Sequence, residues 1–559
     1  MRQQYEPSAD RIIALYQQLE DDILSAVIRR ILKMGYVSEA SKHQLEVLQA
    51  AGLLYDDIVQ LIADRTDACT AQVKALFEDA GVQTVAIDNS LHEAAGALPI
   101  DIRQDSSTRQ VLEAGYKKTL GTMQNLVSTT ATQTQTAFIQ TCDRIYMQVS
   151  SGAFSYQEAI MNALRALADT GAEVVYPTKH KDRMDVAVRR CVLTGVSQTA
   201  AAVSLRQAED AGCYLMEITA HSGARPDHAK WQGQLVTITG KDAGKIIDGL
   251  RVFTLSEIGY GSGEGFKGWN CRHNWHAYYP GFSTPNYTPE ELKRLDEPCI
   301  SYNGKLYTEY EVSQMQRAQE RRVRAWKRRC ITAQESVNSA TDEATRATAQ
   351  AEYSKSAVHL KANEEKLKDF CKQTGQNRDR FREQVYGFGR SEAQRAVQAN
   401  NSSFRNTMRQ KGIKNPPESI AEFKKMMYNK PDEYKLMQTY SKSVDSGMIS
   451  PLVGYEKYKE YHKRVEKELV GLTTSNGIEI KSQSDHFLER VFGTISDPTH
   501  EGAKRSGVEL EDIAEALKNG SVRQHKNGSY IYKSHNCEVS LNPNTGNLIQ
   551  VTPKKRNVP

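Results

Sequence analysis

The reading of this chain turns on TAHSGARPDHAKWQGQLVTITG (219–240) and, after a variable segment, GYGSGEGFKGWNCRHNWHAYYPG (259–281). The glycines favour backbone conformations that a β-carbon forbids. Pro226 and Pro280 fix φ and remove amide donors, so turns and short strands are expected here rather than helix. His221, Asp227, His228, Cys271, His273 and His276 are the metal-ligating or proton-carrying side chains of this stretch.

Two chemistries fit those residues. Zinc takes Cys and His in a tetrahedral site, and ligand pairs from two separate loops can assemble one, which makes Cys271, His273, His228 and His221 a candidate set. The spacing is not the CxxC type, and it favours a polar core instead, with Asn270, His228 and Asp227 hydrogen-bonding the loop backbone. A catalytic pair of Cys271 with His228 or His273 lacks any cue for lowering the thiol pKa.

The same residues carry a resemblance. HSGARPDHAKWQGQ (221–234), GYGSGEGFKGWNCRH (259–273) and PGFS (280–283), in that order, resemble the signature of the phage minor capsid protein 2 family, relatives of the Mu F-like head proteins. The resemblance covers roughly residues 1–375. It implies a virion head protein associated with the portal, present in few copies and made in the bacterial host cytoplasm, with portal and capsid proteins as partners. A prophage-encoded polymorphic toxin whose front half serves only delivery is a further reading.

The gross numbers bound the rest. A chain of 559 residues is too long for one core. With 39% hydrophobic and 25% charged residues and a mean hydropathy of -0.59, it reads as polar and largely helical. No apolar run approaches the ~20 residues needed to span a bilayer, so no membrane partner is expected. The nine scattered cysteines, without CxxC spacing, argue against a disulfide framework or a zinc ribbon. The net charge of +5 says little about partners.

Periodicity predicts a multidomain, mainly α chain. Residues 1–213 read as a helical assembly module, beginning with a helix over 8–33 capped by Ser8. Helices over 38–50 and 55–80 end at Ala51-Gly52 and Ala80-Gly81, and a further block runs over 107–150 with a threonine-rich middle of low helix propensity. Residues 214–300 read as a small α+β unit with strands at 214–218 and 235–238. Residues 301–375 read as a long helical hairpin, with Val312, Val323 and Cys330 facing Tyr353, Leu360 and Phe370. Its first helix is basic, from Arg317 through Arg321, Arg322, Arg324, Lys327 and Arg328 to Arg329. Either these form a solvated face or they meet packaged DNA. Residues 376–471 read as a connecting segment without a core of its own.

Residues 472–559 read as a compact α+β domain of two helices followed by an antiparallel sheet. Helices over 482–493 and 508–520, the second closed by Gly520, precede strands at 521–525, 529–534, 537–542 and 547–553, with Asn527-Gly528 as a hairpin turn. That order is similar to phage-borne nucleases of the barnase–EndoU–colicin–RelE superfamily. The resemblance implies a metal-independent ribonuclease, RNA as substrate and an immunity protein as partner, with no cofactor. Such a reaction needs a base, an acid and cations on the phosphate. His486 suits proton transfer near neutral pH. Glu489 and Arg490 share its helix face, and Arg505, Ser540, Thr552 and Lys554 are expected to reach the same groove, with His525 and His535 as further proton carriers. An inactive domain that only binds RNA or protein is the alternative.

Overall fold

The computed structural model describes residues 6–36, 39–102, 104–176, 178–493 and 506–554. The chain is mainly α and forms two compact units, Met1–Val397 and Gln398–Pro559.

The front unit opens with α1 (Glu6–Met34), α2 (Ala40–Ala94), α3 (Ser106–Ser150) and α4 (Tyr156–Thr170). On α1, Ile12, Tyr16, Leu19, Ile23, Val27 and Ile31 recur at helical spacing and are buried. The helix begins at Glu6, so Ser8 lies inside it rather than capping it. One continuous helix of 55 residues replaces the two expected before Gly81. At Gly81 a Cβ would lie 2.6 Å from Leu112, so the glycine admits α3 rather than ending α2. That packing outweighs the ~1 kcal/mol helix penalty of glycine. Asp105 caps α3 by accepting from the amides of Ser107 and Thr108. The threonine-rich middle of α3 stays helical because Thr130 and Thr134 are buried with Val127, Ala131 and Phe138.

A short hairpin that periodicity did not signal, β1 (Glu173–Val175) and β2 (Lys181–Arg183), leads into α5 (Met184–Asp210). Next comes a sheet of β3 (Leu215–Ile218), β4 (Leu235–Thr237), β5 (Ile246–Ile247), β6 (Leu250–Thr254) and β7 (Trp275–Ala277). Its order is β5-β6-β4-β3-β7, with β4 and β6 parallel and the other pairs antiparallel. α6 (Pro289–Leu295) starts with a capping box between Thr288 and Glu291. The hairpin of β8 (Ile300–Tyr302) and β9 (Lys305–Tyr307) precedes the long helices α7 (Glu309–Ser339) and α8 (Glu343–Thr374). Val312, Val323, Cys330, Tyr353, Leu360 and Phe370 are buried between them. Ala349 and Val337 also join the core of α1–α5, so the hairpin packs into the front bundle.

The basic face of α7 is largely spent inside the fold. Arg183, which precedes α5, donates to Glu20 Oε1 from Nε at 3.1 Å and Nη2 at 2.6 Å. Arg328 Nη2 lies 3.5 Å from Glu20 Oε2 and 3.6 Å from Asp185 Oδ2, and Arg324 donates to that same Asp185 oxygen. Arg329 grips Asp169 with two bonds of 2.8 and 2.6 Å, and Lys327 donates to the Glu383 carbonyl. Of the expected basic face, Arg321 and Arg322 are the exposed residues. The solvated basic face therefore gives way to a buried charge network joining α1, α5 and α7.

In the rear unit α9 (Arg390–Gln410), which enters from the front unit, is followed by α10 (Ile420–Asn429), α11 (Pro431–Asp445) and α12 (Tyr455–Glu468). Then come β10 (Ser482–Gln483), α13 (Asp485–Val491), α14 (Leu510–Asn519), β11 (Ser521–Gln524), β12 (Tyr530–Lys533), β13 (Cys537–Asn542) and β14 (Asn547–Pro553). The sheet order is β10-β14-β13-β12-β11, antiparallel except for β10 beside β14. The segment expected to be a connection is part of this unit's core: Met408, Ile413, Met437, Tyr440, Tyr455, Tyr458 and Val465 cluster with Phe487, Ile513, Val539 and Val551. Part of its apolar mass is tyrosine, at 440, 455 and 458, which a count of aliphatic residues undervalues. Gly520 is extended, at φ -69°, rather than left-handed. It is glycine because a Cβ would lie 2.2 Å from the Ala516 carbonyl.

Burial opposes the Glu20 carboxylate, yet Arg328, Arg183 and Arg324 together hold its pKa below the ordinary value. Removing one partner of such a group strands the others, so Glu20→Gln is expected to destabilise the front unit by about 3–5 kcal/mol in chemical denaturation at neutral pH. Because the folded pKa is depressed, Glu20's contribution is complete above the unfolded value of about 4.3 and fades as pH falls below it. The stability gap between wild type and variant should therefore narrow in acid.

Candidate functional site

The two motif loops meet at one edge of the front unit's sheet. The first leaves β3 and makes a single turn at Pro226–His228, where Pro226 presets the helical φ, and then runs through Trp231 to β4. The second lies between β6 and β7. Its glycines are required by backbone-to-backbone approach: a Cβ on Gly268 would lie 2.0 Å from the Ser262 carbonyl, and one on Gly265 2.1 Å from the Gly259 carbonyl. Lys267 and Asn270 adopt left-handed φ of 59° and 57°, a conformation unfavourable for lysine. The tight loop turns Cys271 and His273 inward beneath Trp231, Phe266 and Trp275, all buried.

There Cys271, His273 and His228 converge, each buried, with one donor atom apiece lying within 4.8 Å of the others. The Nδ1 atoms of His228 and His273 are 3.4 Å apart, and Cys271 Sγ is 3.6 Å from His273 Nδ1. His273 Nε2 is 3.1 Å from Gln232 Oε1, and that oxygen also faces the backbone amide of His221 at 3.3 Å. An amide donor fixes Oε1 as the acceptor, so His273 carries its proton on Nε2. His228 Nε2 lies 2.8 Å from the Glu264 carbonyl, to which it donates in the Nε2–H tautomer. Arg225 Nη2 donates to that carbonyl at 2.5 Å and lies 2.8 Å from His228 Nε2, to which it donates in the Nδ1–H tautomer.

The two Nδ1 atoms thus face each other in a buried site, with the Cys271 thiol beside them. His221 stacks on His273 with ring centroids 4.4 Å apart. Its Nδ1 donates to the Ser222 carbonyl at 2.9 Å, and its Nε2 is buried without a hydrogen-bond partner. These residues, with Arg272, Tyr310 and Arg317, line a cavity of about 200 Å³.

Burial lowers the His273 pKa to about 2, reinforced by His221 and His228. Burial likewise lowers His228 and His221, so the imidazoles stay neutral. The Cys271 thiol is pushed up by burial, with Lys267 and the amides of Lys267 and His273 pulling the other way. Burial also brings the Lys267 ammonium, 3.1 Å from Ser197 Oγ, down to about 8. A raised thiol is a poor nucleophile, so a catalytic Cys–His pair has no support here.

Other expected participants lie elsewhere. His276 pairs across strands with the fully buried Glu217, at 3.3 Å, and Glu217 also accepts from Asn286. Asp227 is half-exposed beside Arg225. Gln232, Trp231 and Lys267 complete the surroundings of the cluster. Sequence reasoning passed over them, although WQGQ offers Gln232 and Gln234 as side chains able to orient a histidine.

In the rear unit His486, Glu489 and Arg490 do share a helix face. His486 Nδ1 is 3.3 Å from Glu489 Oε2, and Arg490 Nε donates to His486 Nε2 at 3.4 Å. Glu489 also accepts from Ser443 at 2.5 Å. Although burial opposes the Glu489 charge, His486 and Ser443 hold its pKa down. The sheet does not complete this group. Cys537, Val539 and Leu541 face the helices, so the pleat turns Ser540 away, and Thr552, paired with Glu538, goes with it. The Lys554 ammonium donates to the Ser534 carbonyl. His525 and His535 are exposed, and Arg505 lies outside the described residues.

Comparison with known proteins adds the following. Residues 2–372 match the family described as phage minor capsid protein 2. A "structural protein" of Lactococcus phage LL-H is 23% identical over 333 residues, covering 57% of this chain and 86% of that protein. A "structural protein" of Lactococcus phage mv4 is 37% identical over 81 residues, 14% of this chain and 57% of that protein. No solved structure matches significantly.

The glycine contacts give a direct test of the loop. Gly268→Ala, which drives a methyl into the Ser262 carbonyl, is expected to destabilise the front unit by about 2–4 kcal/mol, and Gly261→Ala, which meets open space but sits at φ 71°, by only about 1 kcal/mol. Chemical denaturation followed by tryptophan fluorescence reads both.

Proposed function

Since the chain belongs to the phage minor capsid protein 2 family, we propose that this phage structural protein works in the virion as a minor head component beside the portal. The observation that carries the assembly role is the outer side of α2. Leu45, Leu48 and Leu53 are 58%, 60% and 63% exposed, with Val59 at 44%. At ~100° per residue these four fall within about 140° of arc, an apolar stripe that a protein partner would cover. Contact with packaged DNA falls to Arg321 and Arg322, because the rest of the α7 cations are engaged within the fold.

Purified virions should contain the wild-type chain, cross-linked to portal subunits. Leu45→Glu with Leu48→Glu and Leu53→Glu should leave the circular dichroism unchanged and lower incorporation at least about tenfold, since each buried anchor contributes ~1 kcal/mol or more. Absence of the wild-type chain from virions would overturn the head reading and favour the polymorphic toxin. Cross-links to the shell alone would overturn the portal placement.

A second reading concerns the rear unit, where the His486–Glu489–Arg490 group supports a metal-independent ribonuclease. The Arg490 donor occupies His486 Nε2, so an RNA phosphate would have to draw that guanidinium away before the imidazole could take a proton. Incubating the full chain with labelled RNA tests it. Cleavage should survive chelator and fall about 10²–10⁴-fold in His486→Ala, the usual contribution of a positioned acid or base. Intact RNA with folded protein would sink the nuclease and leave a binding domain.

A further inference from the structure

From the convergence of His228 Nδ1, His273 Nδ1 and Cys271 Sγ at the meeting of the two loops, we propose that the front unit binds one zinc ion, which staples residues 221–234 to residues 259–273. This goes beyond the virion role and holds wherever in the particle the chain sits.

The distances carry the argument. Zinc sits about 2.0–2.1 Å from nitrogen and about 2.3 Å from sulfur, so a tetrahedral site has N···N edges of about 3.3–3.4 Å and N···S edges of about 3.6 Å. The observed separations are 3.4 Å between the two Nδ1 atoms and 3.6 Å between Cys271 Sγ and His273 Nδ1. One donor atom from each of the three residues lies within 4.8 Å of the other two.

The hydrogen bonds on the far side of each ring carry it further. A ligating histidine commonly donates its other N–H to a carbonyl or carboxylate, which fixes the tautomer that leaves a lone pair for the metal. His273 does this to Gln232 Oε1 and His228 to the Glu264 carbonyl. In the Nε2–H tautomer of His228 both Nδ1 atoms can meet a metal at one spot. In the metal-free protein the Cys271 thiol, 3.6 Å away, is the donor at hand for His273 Nδ1, and a metal would replace that weak contact with a bond to each of the three atoms.

Mixed Cys and His donors select zinc or its close analogue cobalt over magnesium and calcium, which take oxygen. On binding, the Cys271 thiol loses its proton to solvent, and the thiolate forms the bond to the metal without redox change. The fourth position faces the cavity of about 200 Å³. There the buried Nε2 of His221, which has no partner, can accept from a metal-bound water.

The test uses the full chain, produced in zinc-supplemented medium and purified without chelator. Elemental analysis should find about one zinc per chain. After chelation and reloading with cobalt, a thiolate-to-cobalt charge-transfer band should appear. It should be lost in Cys271→Ser and kept in Cys299→Ser, which alters an exposed cysteine. Should Cys271→Ser fail to fold, Gln232→Ala supplies the second arm, with zinc affinity expected to fall about 10–100-fold as the support of His273 is removed. Folded wild-type protein with zinc no higher than a metal-free control, or a cobalt band unchanged in Cys271→Ser, would overturn the proposal.

Discussion

The front unit is organised around a carboxylate that has no water to solvate it. Glu20 is 1% exposed on α1. It is held by Arg183 at the end of β2 and by Arg328 from α7, while Asp185 on α5 holds Arg324 and Arg328 from the other side. A buried carboxylate persists only where partners are placed accurately, so this network fixes the register of three helices far apart in sequence. Gly171 shows how little room is left: a Cβ there would lie 2.2 Å from Arg183 Nη2 and 2.3 Å from Glu20 Oε1. Replacing a whole buried ion pair by apolar side chains is often neutral, whereas removing one member strands the others. Greasy helices such as α1 and α2 can slide past one another, and a charge cluster with one satisfactory geometry cannot.

That rigid bundle is the base on which the motif loops stand. Trp275 on β7 donates to the Ala201 carbonyl of α5, and Gln198 of α5 donates to the Lys267 carbonyl inside the glycine-rich loop. The loop's left-handed residues, Lys267 and Asn270, are tolerated because helix and sheet over-determine their positions. Strain of this sort collects where side chains must be aimed, and here it aims Cys271 and His273 at His228. The surrounding aromatic rings, Tyr260 on Trp275 at 5.0 Å and Trp231 against His273 at 4.7 Å, keep bulk water out.

The rear unit uses a different solution. Its sheet has one face covered by α13 and α14, and its helices from α10 to α12 contribute large tyrosines rather than aliphatic stripes. Tyr440 reaches the Lys411 carbonyl at 2.7 Å, which satisfies its hydroxyl while the ring packs. Polar sequence can therefore make a core when its polar tips find partners. The family match stops at residue 372, so the rear unit stands as a separate module whose chemistry rests on its own residues.

The sequence by itself determined the mainly helical architecture, the paired long helices, the turn-rich central unit with its strands, and the two helices and meander at the end. Each of these is written in local rules: apolar spacing on α1, capping at Asp105 and Thr288, and Asn527-Gly528 between β11 and β12. It also singled out His221, His228, Cys271 and His273, because such residues in a glycine-rich context are chemically conspicuous. Only the tertiary structure decided which of them meet, that Gly81 packs rather than breaks, that Arg324 and Arg328 turn inward, and that Ser540 and Thr552 face away from His486. The reason is physical. Periodicity and capping act over a few residues, whereas the direction of a side chain across a pleat, or the partner of a buried charge, is set by chain arriving from more than a hundred residues away.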